Sequence, residues 1–129
     1  ATLMADANLF ESIVVEEAED MVHARCGELE LQFRADGIPR PADSYQLLGL
    51  RLEQIEVSRD PLPKGPNTAS GTVIDIDYIG DMTTIEGRLS DNQIVKASQL
   101  NALHEPLIEL DETVWLTWEA DALVPLADA

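Results

Sequence analysis

Cysteine, histidine and basic residues are scarce in this sequence of 129 residues, and each scarcity excludes a class of protein. The single cysteine, Cys26, cannot form an internal disulfide, which excludes a disulfide-stapled secreted scaffold and is compatible with a reducing compartment. One cysteine and two histidines are too few for a zinc site, which takes about four such ligands. With 8 basic and 25 acidic residues, the net charge of −17 opposes binding to nucleic acid and to anionic lipid.

Long apolar runs and nucleotide-binding motifs are missing as well. No apolar run approaches the ~20 residues that span a bilayer, and the chain does not begin with a signal-peptide pattern. A phosphate-binding loop needs G-x-x-x-x-G-K-[ST], and the nearest stretch, residues 64–66, contains a proline that removes a needed N–H group. No serine or cysteine stands in a recognisable nucleophile setting. We therefore expect a non-catalytic region with no cofactor of its own, and the start at Ala1 without methionine favours a fragment.

The richest β pattern lies at residues 71–80, where β-branched and aromatic residues stand between two glycines. Alternation predicts one strand face turned toward a core and a second, mixed face that carries Asp75 and Asp77. The predicted core face consists of Ile74, Ile76 and Tyr78. A turn at residues 80–81 leads to a second strand at 82–89, which makes a hairpin.

Two acids of the central strand, Asp75 and Asp77, share a face that Asp81 or Glu86 could approach. Such a cluster could hold calcium or magnesium, but calcium ligands come from a flexible loop rather than from a regular strand. We therefore favour a solvated face, and we infer no metal site.

The remaining segments are also predominantly β-prone. Short strands are predicted at 9–15, 21–26 and 29–33 as a meander, and at 93–97, 113–118 and 122–126. Residues 47–57 are ambiguous: a strand that enters a turn is favoured, and a short helical turn at residues 52–56 is the alternative. Loops are predicted at 36–41 and 60–67, and an irregular or single-turn segment at 98–106, because prolines and glycines break the ladder there. About nine strands and almost no amphipathic helix predict an all-β fold.

The two tryptophans stand on opposite faces of the strand at residues 113–118. Alternation sends Trp118 into the core and Trp115 outward. An outward aromatic residue is typical of a binding surface, although a loop of the same chain covers such residues as often. Trp115, Asp75 and Asp77 are therefore the candidate contacts for a partner or a regulatory ligand.

Four short motifs, in order along the chain, resemble the C-terminal TOBE-type region of the ATP-binding subunit of bacterial ABC importers. The importers concerned take up spermidine, putrescine, iron, sugars and similar solutes. The motifs are A-N-L-F at residues 7–10, R-L-E-Q-I at 51–55, G-T-V followed by Y-I-G within 71–80, and V-W-L-T-W at 114–118. The sequence departs from the family pattern at Leu52, where a proline is usual, at Gln54, where an aspartate is usual, and at 111–112, where a glycine is common.

The resemblance implies two small, intertwined OB-like β-barrels of the TOBE/MOP-like kind. They would form one compact region at 1–129, with subregions at 7–60 and 68–127. It further implies an attached ATPase domain that binds ATP and magnesium, pairing with a second copy, indirect contact with the membrane subunits, and a cytoplasmic position at the inner face of the bacterial membrane.

Two other functions remain open. One is a stand-alone small-ligand-binding β-barrel, for which the surplus of acids favours a cation over an oxyanion. The other is an OB-fold nucleic-acid binder, which the charge opposes because residues 66–129 hold only Arg88 and Lys96 as bases.

Overall fold

The computed structural model describes residues 7–101 and 107–127, and its ten strands form two five-stranded antiparallel sheets. The first sheet has the order β10-β4-β1-β2-β3 and the second has the order β5-β9-β6-β7-β8. The strands are β1 (Ala7–Ala18), β2 (Met21–Cys26), β3 (Leu29–Arg34), β4 (Tyr45–Arg51), β5 (Glu56–Ser58), β6 (Thr68–Ile79), β7 (Met82–Arg88), β8 (Ile94–Leu100), β9 (Thr113–Thr117) and β10 (Val124–Leu126). The prediction of an all-β fold with two small, intertwined OB-like barrels is confirmed.

The sheets are intertwined because each contains one strand from the opposite part of the chain. After β4, a 3-10 turn (Leu52–Gln54) carries the chain into β5, which pairs with β9 of the second sheet. After β9, a second 3-10 turn (Ala120–Ala122) carries it back to β10, which pairs with β4. The division into subregions 7–60 and 68–127 stays a prediction.

One apolar core joins both sheets. Its largest fully buried side chains are Phe33, Leu31, Leu48, Leu50, Ile85 and Leu116. Phe10 of the first sheet stacks on Trp118, with ring centroids 6.1 Å apart and planes 17° apart. Burial of each large apolar side chain contributes about 1.5–3 kcal/mol, so the shared core holds the two sheets together.

The predicted core face of the central strand is wrong at Ile74 and Tyr78, and only Ile76 of the three packs against the core. Val73 is fully buried, whereas Ile74 is 36% exposed, Tyr78 is 48% exposed and Ile76 is half-buried. A bulge between Val73 and Asp75 shifts the register of β6 against β7. Because a bulge inserts one extra residue, alternation read across it assigns side chains to the wrong face. The hairpin itself is confirmed.

Two predicted boundaries also change. Strand β8 continues to Leu100 because it pairs along the whole of β7, so the predicted irregular segment at 98–106 begins later. Residues 102–106 of that segment lie outside the described residues. The predicted last strand shortens to β10, since residues 120–122 form the 3-10 turn.

The fold is internally duplicated, which the sequence analysis did not predict. Asn8 stands six residues before Val14, where a bulge begins in β1, and Asn67 stands six residues before Val73, where the bulge begins in β6. Strand β1 begins the meander β1-β2-β3 and pairs on its other side with β4, which leads into the first 3-10 turn. In the same way β6 begins the meander β6-β7-β8 and pairs on its other side with β9, which is followed by the second 3-10 turn. Equivalent positions of the two sheets can therefore be compared directly.

Candidate functional site

Two buried asparagines join the sheets where the backbone ladders do not. The Asn8 side chain donates to the carbonyl of Lys96 at 2.8 Å and accepts from its N–H group at 2.8 Å. The Asn67 side chain donates to the carbonyl of Gln32 at 2.8 Å and accepts from its N–H group at 3.0 Å. Each carboxamide takes the place of a neighbouring strand, so it satisfies backbone groups that would otherwise lack a partner at the seam.

A cleft of about 520 Å³ opens beside the seam that Asn67 closes. Its walls come from β3, β6, β9 and the loop at 61–66, and they include the side chains of Trp115, Leu62, Glu30 and Lys64. The volume lies within the range of about 300–1,000 Å³ that is usual for small-molecule sites. The cleft is therefore large enough to hold a small ligand.

Trp115 forms part of the cleft wall on the outer face of β9. It stands opposite Ser70 of β6 and Ser58 of β5 in the strand register, and it is half-buried. Small serines on both sides leave room beside the indole ring, while Leu62 of the loop lies in the same wall. The tryptophan is thus neither fully exposed nor fully covered, and its ring can contact a ligand in the cleft.

The two acids that line the cleft, Glu28 and Glu30, differ in the contacts that their carboxylates already make. The Glu28 carboxylate accepts hydrogen bonds from the N–H group of Ser90 at 3.1 Å and from the Ser90 hydroxyl, which fixes the β2–β3 turn against the β7–β8 turn. Glu30 is 61% exposed and makes a long ion pair with Arg25 at 3.8 Å. Such an exposed pair contributes little, so Glu30 is the carboxylate that is available to a ligand.

The contact between the β2–β3 turn and the β7–β8 turn also depends on Asp91. Its carboxylate accepts a hydrogen bond from the N–H group of Glu28 at 3.0 Å. Desolvation raises the pKa of Asp91, but hydrogen bonds from Glu28 and Gln93 outweigh it, and the pKa is lowered. Asp91 is therefore a structural acid that holds one end of the cleft.

The structure does not bring Asp75 and Asp77 to Trp115. Both acids are exposed, and the register places Asp75 opposite Glu86 and Asp77 opposite Thr84. Trp115 stands opposite Ser70, five residues before Asp75, which is about 17 Å along a strand. Within residues 7–101 and 107–127, no three His, Cys, Asp or Glu side chains gather in a way that could hold a metal ion.

His23 and Cys26 point to opposite sides of β2, as expected for that spacing. His23 contacts the side chain of Gln32 at 3.4 Å, and the thiol of Cys26 donates to Gln93 at 3.2 Å. Burial raises the pKa of the Cys26 thiol, and nearby acids raise it further. His104 lies outside the described residues.

No helix in the part of the chain that the structure describes is long and apolar enough to cross a membrane.

A family model for the TOBE domain matches residues 48–126. The chain belongs to the TOBE domain family. The predicted resemblance to the TOBE-type region of importer ATP-binding subunits is also confirmed. The chain is 30% identical, over 98% of its length, to the putrescine transport ATP-binding protein PotG of Escherichia coli K12. It is 31% identical, over 94% of its length, to the spermidine/putrescine import ATP-binding protein PotA of Thermotoga maritima.

The TOBE chain spans 34% of the length of each of these two relatives. Its fold is also similar to the solved structure of the cytoplasmic molybdate-binding protein ModG in its molybdate-bound form. The TM-score is 0.82, the identity is 13%, and the match covers 96% of this chain and 98% of ModG. At that identity the likeness supports the fold alone.

Sequence reasoning missed the two seam asparagines and most of the cleft. Asn8 lay in a motif that carried the family resemblance, but its cross-sheet bond to Lys96 joins residues 88 positions apart. Asn67 closed a predicted loop, where asparagine is expected to form a turn. Loop residues such as Leu62 carried no pattern that would place them beside Trp115.

Proposed function

We propose that this TOBE chain is the regulatory and dimerisation region of the ATP-binding subunit of an ABC importer for polyamines. The observation that carries the proposal is the match of nearly the whole chain to a third of two polyamine-transport ATP-binding proteins. In this proposal ATP and magnesium bind to an attached ATPase domain. The region contacts that domain and a second copy, acts indirectly on the membrane subunits, and lies in the cytoplasm at the inner face of the membrane.

Three features of the described residues support a regulatory rather than a chemical role. The cleft offers an indole ring and carboxylates, and the serine hydroxyl that reaches a carboxylate there, Ser90 on Glu28, holds two turns together. Intertwined strands and a shared core make the region one body, which suits it to transmit a contact. The net charge of −17 opposes nucleic acid as a partner.

A chimera tests the proposal. The matching third of Escherichia coli PotG is replaced by this chain, and putrescine uptake is measured in cells that lack PotG. We expect the chimera to restore more uptake than PotG truncated before that region. The matched control carries the Asn67→Ala change in the grafted chain, which opens the seam. Equal uptake by the chimera and the truncated protein would contradict the proposal.

The cleft favours a second function, the binding of a small organic cation as a regulatory ligand. Glu28 and Glu30 outnumber Lys64 in the lining, and the Trp115 ring offers a face for a cation. Titration with putrescine and with molybdate, followed by tryptophan fluorescence, separates a cation site from an oxyanion site. We expect a response to putrescine that is lost in Glu30→Gln and retained in Glu109→Gln, an exposed acid outside the cleft. A response to molybdate alone would reverse the assignment.

A further inference from the structure

The cleft beside Asn67 lies between two strand edges. Among the described strands, β3 ends the first sheet, while β6 has β9 on one side and β7 on the other. The ladder between β6 and β7 starts at Thr72, opposite Arg88, although β6 itself begins at Thr68. One edge of β6 therefore extends beyond the β7 ladder at residues 68–71. Residues of this edge and of the β3 edge both line the cleft.

The outer edge of β3 carries backbone groups that point away from β2. The N–H and C=O groups of Gln32 bond to the Asn67 side chain, and the C=O group of Glu30 accepts from the Asn67 N–H group at 2.8 Å. The N–H and C=O groups of one residue in an antiparallel strand face the same side, so the N–H group of Glu30 also points away from β2. The N–H group of Glu28 bonds to the Asp91 carboxylate at 3.0 Å. Side chains thus hold both ends of this edge, and the N–H group of Glu30 lies between them.

Ser70 supplies the facing groups from β6. The carbonyl of Asn67 accepts from the N–H group of Trp118, which places it on the β9 side. The N–H group of Val73 donates to the carbonyl of Glu112 on the same side. Alternation between these two positions turns the N–H and C=O groups of Ser70 away from β9. Ser70 is exposed and lines the cleft, so a ligand there can reach a donor and an acceptor on β6.

These backbone groups set a requirement that a free diamine does not meet. An ammonium group only donates, so it leaves the N–H groups of Glu30 and Ser70 without an acceptor. An oxyanion could accept from both, but Glu28 and Glu30 outnumber Lys64 in the lining and oppose its charge. A peptide backbone offers donors and acceptors at the spacing of a strand, and a basic side chain on it supplies the cation.

The walls of the cleft suit the side chains of such a peptide. The Glu30 carboxylate is 61% exposed and lies 3.8 Å from Arg25, so a lysine or arginine of a ligand can approach it. Trp115 and Leu62 form an apolar part of the wall. Ser70 stands opposite Trp115 in the strand register and leaves space beside the indole ring for an apolar side chain.

We infer that the cleft binds an extended peptide segment of another protein, which adds as a short strand between β3 and β6 and places a basic side chain at Glu30. The inference rests on the second proposed function, in which the cleft binds a cation, and it identifies that cation as a lysine or arginine carried on a peptide. Main-chain hydrogen bonds supply affinity, while Glu30 and Trp115 select the side chains.

Capped pentapeptides test the inference. The probes are acetyl-TKVKT-amide, with its valine on the opposite face from the lysines, and acetyl-KTVTK-amide, with all three on one face. Each is compared with a form that is N-methylated at its three central residues, which keeps the charge and the side chains but loses backbone donors. Tryptophan fluorescence measures the dissociation constants. We expect N-methylation to weaken the tighter peptide at least about tenfold, and putrescine to bind at least about tenfold more weakly than that peptide.

Two matched variants test the position of the peptide. Glu30→Gln removes the acid of the cleft, and Glu109→Gln removes an exposed acid outside it. We expect Glu30→Gln to weaken the tighter peptide about two- to fivefold, as for an exposed ion pair, and Glu109→Gln to leave its affinity unchanged. Circular dichroism confirms that both variants are folded. Amide shifts on binding should be largest at residues 28–32 and 68–71.

Two outcomes overturn the inference. The first is the absence of a response to either peptide at about 1 mM, and the second is an N-methylated peptide that binds as tightly as its parent. If putrescine still binds in either case and Glu30→Gln abolishes that binding, the small-cation function stands and the peptide inference alone is refuted. The PotG chimera tests the importer proposal separately. Peptide binding by a chain that restores no uptake refutes the importer proposal alone.

Discussion

Asn67 is the residue whose replacement tests the seam between the sheets most directly. It is 5% exposed and has a positive φ of 59°, the left-handed conformation that asparagine tolerates better than other residues with a side chain. Its side chain bonds both backbone groups of Gln32, and its own carbonyl accepts from the N–H group of Trp118 at 3.1 Å. One residue therefore connects β3, the start of β6 and the end of β9.

The Asn67→Ala change removes both side-chain hydrogen bonds and leaves two partly buried backbone groups of Gln32 without their partner. Each bond contributes about 1 kcal/mol net, and an unmet buried group costs about 1–3 kcal/mol, so the loss is about 2–4 kcal/mol. Alanine in the left-handed region adds about 1 kcal/mol. We expect the free energy of unfolding to fall by about 3–5 kcal/mol in total.

Urea denaturation followed by circular dichroism measures this loss, and Asn92→Ala provides the matched control. Asn92 also has a positive φ, of 70°, but it is exposed at the β7–β8 turn, so its replacement reports the backbone strain alone. We expect that control to lose about 1 kcal/mol. If Asn67→Ala and Asn92→Ala lose the same amount within about 0.5 kcal/mol, the carboxamide does not hold the seam and the reasoning is refuted.

Three further measurements test the packing at Gly71, the pH dependence of the Asp36–Arg40 pair and the reactivity of the Cys26 thiol. Gly71→Ala should lower the free energy of unfolding by about 1–3 kcal/mol in urea denaturation, because the added Cβ would lie 3.1 Å from the carbonyl oxygen of Arg88. Gly65→Ala is the control and should be neutral, because no atom lies within 4 Å of its added Cβ. Equal losses in the two variants would contradict this reasoning. Hydrogen bonds from Arg40 lower the pKa of Asp36 from 3.8 to about 2. The ionised Asp36 therefore stabilises the folded state fully above pH 4, and this contribution is lost as the pH falls through about 2. An NMR titration midpoint near 3.8 for Asp36 would be evidence against the pair. Because burial raises the pKa of Cys26, iodoacetamide should modify it more slowly at pH 8 than a free thiol, and an equal rate would show an open thiol.

Alternation predicted burial correctly wherever a strand keeps a regular register. Leu31 and Phe33 of β3 and Leu116 of β9 are buried as expected, since each of these strands pairs without a shift. The prediction failed in β6, where the bulge moves the core-facing positions from Val73 before it to Ile76 after it, so one alternation does not describe the whole strand. A bulge depends on how two strands pair, and one strand alone carries no reliable sign of it.

The candidate site was predictable only in part, because its residues are remote in sequence. The outward position of Trp115 followed from alternation in β9, and the structure places it in a cleft wall. Its cleft neighbours Glu30 and Leu62 come from a strand and a loop that the sequence did not connect to it. Asp75 and Asp77 share a face of the central strand, and their contact with a partner stays a prediction.

The duplication separates what the fold requires from what each sheet is free to vary. Inward positions agree between the halves: Val14 and Val73 are both fully buried, and Leu48 and Leu116 both fill the shared core. Several outward positions differ, among them Leu9 against Thr68 and Ile13 against Thr72, so the fold does not fix the residue there.

The sharpest case of this divergence is a single position on the outer face. Leu47, which stands opposite Glu11, corresponds to Trp115, which stands opposite Ser70. On the first sheet this position lies within an apolar face, and on the second it forms the wall of a cleft. One duplicated scaffold thus carries an aliphatic residue at this position on one sheet and the wall of a cleft on the other.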